Sequence, residues 1–145
     1  MKYWSLTRPA GRGRPARTRR SALLGGLDSY PPLADDENKV ELIETSSFTK
    51  QITDLLSDEE YGAFQFRLAA NPELGPLMRG GGGIRKVRVA VGSRGKSGGA
   101  RVIYYWAVRK DMILLLYAYP KNVAADLTAK QVSRLANVVK EEFGS

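Results

Sequence analysis

The 145-residue chain contains no cysteine and no histidine. Lack of cysteine excludes disulfides, thiolate zinc sites and a cysteine nucleophile together, and a reducing cytoplasm suits such a composition. Lack of histidine means that any general acid or base has to be lysine, arginine, tyrosine, aspartate, glutamate or a group on the substrate. Long apolar runs are missing as well. The longest, "MILLLYAY" from Met112 to Tyr119, falls far short of the roughly 20 residues that a membrane-spanning helix requires, so no span is expected. Acidic residues are outnumbered, with 15 Asp and Glu against 23 Lys and Arg, for a formal charge of +8. An excess of this sign favours a polyanionic partner, although solubility alone also produces it.

What is present divides in two. Residues 1–39 mix Arg, Gly and Pro with little apolar periodicity, the composition of a segment that does not recover its ordering entropy by burial. A poorly ordered basic extension is expected there. Arg19 and Arg20 before "SALLGGL" look like the start of an export signal, but the apolar stretch is too short and Asp28 and "YPPL" interrupt it. Residues 1–39 hold eight Lys and Arg against four Asp and Glu, and residues 40–145 hold fifteen against eleven, so each part carries +4. The region expected to fold, 40–145, is thus basic in its own right, and a hydrophobic content of 43% suffices for one modest core.

From Val40 onward the patterning is regular. "VELIET" alternates at period two and predicts a strand; "SSFTKQITDLL" predicts a helix with Phe48, Ile52, Leu55 and Leu56 at helical spacing and Ser46 or Ser47 as its N-cap. Ser57 and Glu60 form a capping-box pattern that opens a second helix, which Pro72 ends near Asn71. After a turn at the four glycines 80–83 come three strands, "IRKVRVAV", "RVIYYWAV" and "MILLLYAY", the last without alternation and therefore expected at the sheet centre. "RKD" is short enough for a hairpin between the second and third. Thr128 and Gln131 start a final helix with Val132, Leu135, Val139 and Phe143 on one face. The order β-α-α-β-β-β-α predicts an α+β fold, an antiparallel sheet with helices packed on it.

Between Arg79 and Trp106 there are seven basic residues and no acid. Alternation sends Val87, Val89 and Val91 to one face of their strand, and Lys86 and Arg88 to the other. Arg101 shares a face with Ile103 and Tyr105, so pairing around "GSRGKSGG" brings it beside Lys86 and Arg88. Arg94 and Lys96 in that loop extend the positive field, whereas Arg85 falls on the valine side. Such a cluster suits a phosphodiester: cations neutralise phosphate, arginine grips its oxygens bidentately, and a lysine crowded by cations gives up its proton more readily. Tyr104, Tyr105, Tyr117 and Tyr119 offer planar faces for unstacked bases. The bland alternatives are equally physical, since basic residues on a strand usually guard a sheet edge and strand aromatics usually pack in the core. Neither glycine-rich stretch has P-loop spacing, and no acid pair reads as a metal site.

The segments "SDEEY", "NPELG", "GGIRKVRVA", "GGARVIYY" and "YPKNVAADLTAKQ", in this order, resemble the HigB branch of the RelE/ParE toxin superfamily, over roughly Val40 to Phe143. The resemblance implies a RelE-like fold and a cytoplasmic toxin. It also implies that such a toxin, with no cofactor, cuts mRNA on the ribosome by attack of the 2′-hydroxyl on the adjacent phosphate. A neighbouring helix-turn-helix antitoxin would silence it in a hetero-oligomeric complex. On that basis Lys86 is the candidate base, Arg88 and Arg101 stabilise phosphate and transition state, and Lys121 supplies further charge or a proton. Arg85, Arg94, Lys96, Tyr105 and Tyr119 are the expected RNA contacts. Pro120 and Val123 depart from the "YGKNE" common in relatives. Two alternatives share the surface features: a non-catalytic gyrase-blocking toxin of the ParE kind, and an inactive basic module that binds RNA or the ribosome.

Overall fold

The computed structural model describes residues 1–7, 17–20, 39–90, 99–121 and 127–143. Six strands form one sheet: β1 (Lys2–Thr7), β2 (Arg17–Arg20), β3 (Lys39–Glu44), β4 (Ile84–Val89), β5 (Ala100–Ala107) and β6 (Met112–Pro120), in the spatial order β2-β1-β3-β6-β5-β4. Helices α1 (Ser46–Leu55) and α2 (Asp58–Ala70) cover one face, where Phe48, Ile52, Phe64 and Leu68 pack on Val40, Leu42, Val87, Val102, Ile113 and Leu115. Helix α3 (Ala129–Phe143) covers the other through Val132 and Val139, which join Ile43, Ile84, Ile103, Leu114 and Leu116. Each face is therefore apolar and each needs a helical cover, which makes the domain a sheet between two helical layers.

Local chemistry explains the element boundaries. Ser57 Oγ accepts from Glu60 N–H and the Glu60 carboxylate accepts from Ser57 N–H, the reciprocal capping box that the sequence predicts. Thr128 and Gln131 do the same at the start of α3. For α1 the N-cap is Thr45, not Ser46 or Ser47: its Oγ1 accepts from Phe48 N–H and donates to Leu116 O. Thr45 wins because it lies where β3 ends and one hydroxyl there serves both the helix start and β6. The "RKD" turn is a 3-10 segment, Val108–Lys110, closed by Asp111 at φ 52°, a left-handed position that a short polar side chain tolerates.

Two expectations are corrected. The sheet is mixed, because β3 pairs parallel to β6 in the register Glu41↔Met112 to Glu44↔Leu115. Alternation reports which face a residue occupies and says nothing of the direction of the neighbouring strand. The chain after β3 crosses the sheet face as helices before β6 is laid down, and that crossover permits the parallel pairing. Second, the N-terminal extension is not wholly irregular. Strand β1 pairs antiparallel with β3, Leu6 is fully buried, and Trp4 Nε1 donates to Glu44 Oε2 at 2.7 Å. Two apolar side chains at alternate positions suffice for a strand that completes an existing sheet, although they are too few for a periodicity to stand out in an Arg- and Gly-rich stretch.

The segment 71–78 bridges α2 to the edge strand β4 and is fixed to the sheet from beneath. Tyr104, fully buried, donates through its hydroxyl to Pro72 O at 2.8 Å and accepts from Gly75 N–H at 3.0 Å. Gly75 is required there because a Cβ would collide with the Lys86 carbonyl oxygen. Burial pushes the Tyr104 hydroxyl above its ordinary pKa, against the smaller opposing influences of the Gly75 hydrogen bond and Arg85. A raised folded-state pKa means that the protonated phenol is favoured by folding. Its contribution is whole below about pH 10 and is lost as pH rises through the folded value. Tyr104→Phe leaves the Gly75 N–H without its acceptor and should cost about 1–3 kcal/mol. The variant's denaturant midpoint should also fall less steeply above pH 10 than the parent's; parallel midpoint-against-pH curves for the two would contradict this account.

Candidate anion-binding cleft at the edge of the sheet

Antiparallel pairing of β4 with β5 sets Arg88 directly opposite Arg101 and Lys86 opposite Ile103. On the next strand, Arg101 lies opposite Tyr119 and Ile103 opposite Tyr117. A row Arg88–Arg101–Tyr119 therefore crosses three strands, with Lys86 one pleat away on the same face. Tyr119 reaches that face only through a bulge: register shifts between Ile103 and Tyr104, so that Leu116 has no counterpart on β5. Before it, odd-numbered Ile113 and Leu115 face α1 and α2; after it, odd-numbered Tyr117 and Tyr119 face the α3 side. One extra residue inverts the alternation, and the Thr45 hydroxyl takes up the Leu116 carbonyl.

Arg101 is the least ordinary residue of the row. It is 7% exposed, and among the described residues its Nη1 is buried without a hydrogen-bond partner. A nitrogen so placed forfeits hydration without recovering it from any described residue, and the neighbour of Arg101 directly across the ladder is another arginine. Both features cost folding energy, and both are what a preformed site for an anion requires.

These side chains open into a cleft of about 450 Å³ lined by Arg67, Leu74, Pro76, Lys86, Val87, Arg88 and Arg101. Four of the seven lining residues are cationic and none is acidic, so the field inside has one sign. Lys121 is adjacent: its backbone N–H donates to Gly99 O at 3.0 Å, beside the start of β5, and its side chain is exposed. Among the described residues, no group of three or more His, Cys, Asp or Glu is placed to hold a metal ion, and no helix is long and apolar enough to cross a membrane. The reactive groups that line the cleft are the Lys86 amine and three guanidinia.

The structure brings Lys86, Arg88, Arg101 and Tyr119 together and sets other candidates apart. Arg85 faces the opposite side, where its Nη1 donates to Gly75 O at 2.7 Å and its Nη2 lies 3.8 Å from Glu73 Oε2, so it secures the 71–78 segment. Tyr105 is half-buried beneath α3 with its ring 5.4 Å from that of Phe143. Tyr119 is 5% exposed, with its ring 6.1 Å from that of Tyr117, so it offers no open ring face for a base. Arg94 and Lys96 lie outside the described residues. Arg67 is the cleft residue that sequence reasoning misses. In the last turn of α2 a cation is unremarkable, since it complements the helix dipole, and no periodicity links it to a strand that begins seventeen residues later.

The strands that carry the cationic row, and α3 beyond them, lie within a recognisable family pattern. Residues 77–144, just under half of the chain, match the family described as RelE toxin of RelE / RelB toxin-antitoxin system.

Proposed function

We propose that the protein is the toxin of a toxin–antitoxin pair, of the HigB kind, and that it is a metal-independent endoribonuclease that cuts mRNA on the ribosome and so blocks translation. The buried Nη1 of Arg101, unpartnered among the described residues, carries this reading, in a cleft whose four charged lining residues are all cationic. The match of residues 77–144 supplies the biological class. A helix-turn-helix antitoxin is the expected partner, and the cytoplasm the expected site of action.

Cleavage forms a bond between the ribose 2′-oxygen and phosphorus and breaks the bond from phosphorus to the 5′-oxygen of the next nucleotide. The 2′-proton goes to the base and a proton returns to the leaving oxygen. Lys86 takes the first proton. Arg88 and Arg101, opposed across the ladder, hold the non-bridging oxygens, whose negative charge grows toward the pentacoordinate state. Lys121, exposed and next to the start of β5, donates to the leaving group.

Inducible expression in a bacterial host tests the reading. Growth should stop, mRNA ends should appear at mapped positions within translated message, and both should vanish in Lys86→Ala and Arg101→Ala. Arrest with intact message, or cuts that persist in Arg101→Ala, would sink it.

A further inference from the structure

The cleft has a second wall that the proposed chemistry does not use. Lys86, Arg88 and Arg101 lie on the α3 side of the sheet, as their register with Ile103 and Tyr119 requires. Arg67, Leu74 and Val87 reach the same cleft from the α1–α2 side. What separates the two groups of cations is strand β4, the outer strand at this end of the sheet.

Among the described residues, the edge of β4 is only partly covered. Leu77 bridges Arg85, Met78 N–H donates to Ile84 O, and Lys86 N–H donates to Pro76 O; the covering segment then turns away toward α2. Since the Lys86 amide points outward, strand geometry points the Arg88 amide outward too, beyond the end of that cover and into the cleft. Around this stretch of edge stand an outward backbone N–H, the Lys86 and Arg88 side chains on one side and Arg67 on the other. Arg67 is held in place by its helix, whose C-cap Asn71 N–H donates to Arg67 O, and by the 71–78 segment that Tyr104 and Arg85 pin to the sheet. Arg67 has an exposed side chain, and among the described residues no acid lines the cleft to neutralise it.

We infer that Arg67 is a binding residue for a second phosphate, so that the RNA strand lies across the outer edge of β4 beyond Lys86, with one phosphate on the Arg88–Arg101 side and a neighbouring one on the Arg67 side. The inference rests on the reading of the cleft as an RNA site and adds the path of the strand through it. It assigns Arg67 to grip and register, with no part in the bonds that form and break. Its loss should raise KM and leave kcat nearly unchanged.

The test uses the full chain and two 2′-O-methyl oligoribonucleotides, which lack the attacking hydroxyl: a dinucleoside monophosphate with one phosphate and a trinucleotide with two. By NMR titration the parent should bind the trinucleotide more tightly. Arg67→Ala should weaken the trinucleotide about tenfold, leave the dinucleotide unchanged, and make the trinucleotide's logarithmic salt dependence shallower by about 0.7. Arg67→Lys should restore the salt slope. Arg109→Ala, which removes an exposed charge at the opposite end of β5, should change neither ligand.

A parent that does not distinguish the two ligands, or an Arg67→Ala protein with unchanged trinucleotide binding, overturns the inference. So does a fall in thermal midpoint as the sole effect, because Arg67 would then serve only the helix end. Arg101→Ala separates this inference from the functional proposal. If Arg101→Ala still cuts message while Arg67→Ala loses the second phosphate, the cleft binds RNA as inferred and the catalytic assignment fails by itself.

Discussion

Arg101→Met is expected to abolish RNA cutting and, at the same time, to raise the melting temperature. Removal of a preformed charge stabiliser costs about 10²–10³ in rate where such groups have been removed singly. Loss of Arg101 should do at least that, because Arg88, its neighbour across the ladder, is exposed and its charge is screened by water. The stability change has the opposite sign for a reason visible in the fold. A guanidinium that is 7% exposed, with Nη1 unpartnered among the described residues and a second arginine opposite, is a burden on the folded state. Methionine keeps the flexible apolar stem and removes the buried charge, a class of change that is neutral to stabilising by about 1–4 kcal/mol. At the lower end of that range, a domain of this size should gain a few degrees, ~3–5 °C.

Opposite signs in the two readouts are what distinguish a functional arginine from a structural one. A drop in melting temperature with cutting intact would show that Arg101 has a partner and a packing role, and would remove the main support for the proposed mechanism. Arg101→Lys adds a second discrimination. It keeps the charge and loses the forked geometry, so it should retain a minor fraction of activity without the gain in stability.

Much of this site was legible from residues alone, because strand alternation is a strong local signal. The sharing of a face by Lys86, Arg88 and Arg101 follows from their parity and from a turn that lets two strands pair. Three features were hidden for separate physical reasons. The bulge at Leu116 lies in a run of three leucines, where inversion of the pattern leaves no trace, yet it is what carries Tyr119 to the cationic face. The parallel pairing of β3 with β6 joins segments some seventy residues apart, beyond the reach of any periodicity. Arg67 enters the cleft through tertiary placement of a helix end, to which local sequence is blind. The caps at Ser57 and Thr128 are legible in the sequence, whereas Thr45 is not, because its hydroxyl is selected by a carbonyl on a distant strand.

Deletion of residues 1–38 is the second large effect expected, and here composition misleads most. A chain that starts at Lys39 loses β1, and with it a strand that covers the edge of β3 along six residue pairs. Leu6 leaves the core, where full burial of such a side chain contributes about 1.5–3 kcal/mol. Trp4 leaves the Glu44 carboxyl, which is 1% exposed and accepts at 2.5 Å from the Tyr61 hydroxyl and at 2.7 Å from both Trp4 Nε1 and Thr49 Oγ1. Loss of a donor from a buried group of this kind costs about another 1–3 kcal/mol. The sum is a large share of the roughly 5–15 kcal/mol that stabilises an ordinary domain. Urea melts should therefore show the truncated chain with a much lower midpoint, and the uncovered, apolar edge of β3 should make it prone to associate. Two single variants locate the cause: Leu6→Ala should cost about 2–5 kcal/mol through the cavity, while Trp4→Phe should cost less, through the lost N–H alone. An unchanged midpoint in the truncated chain would mean that the strand is a passenger on the sheet edge, and that the segment is as dispensable as its arginines, glycines and prolines suggest.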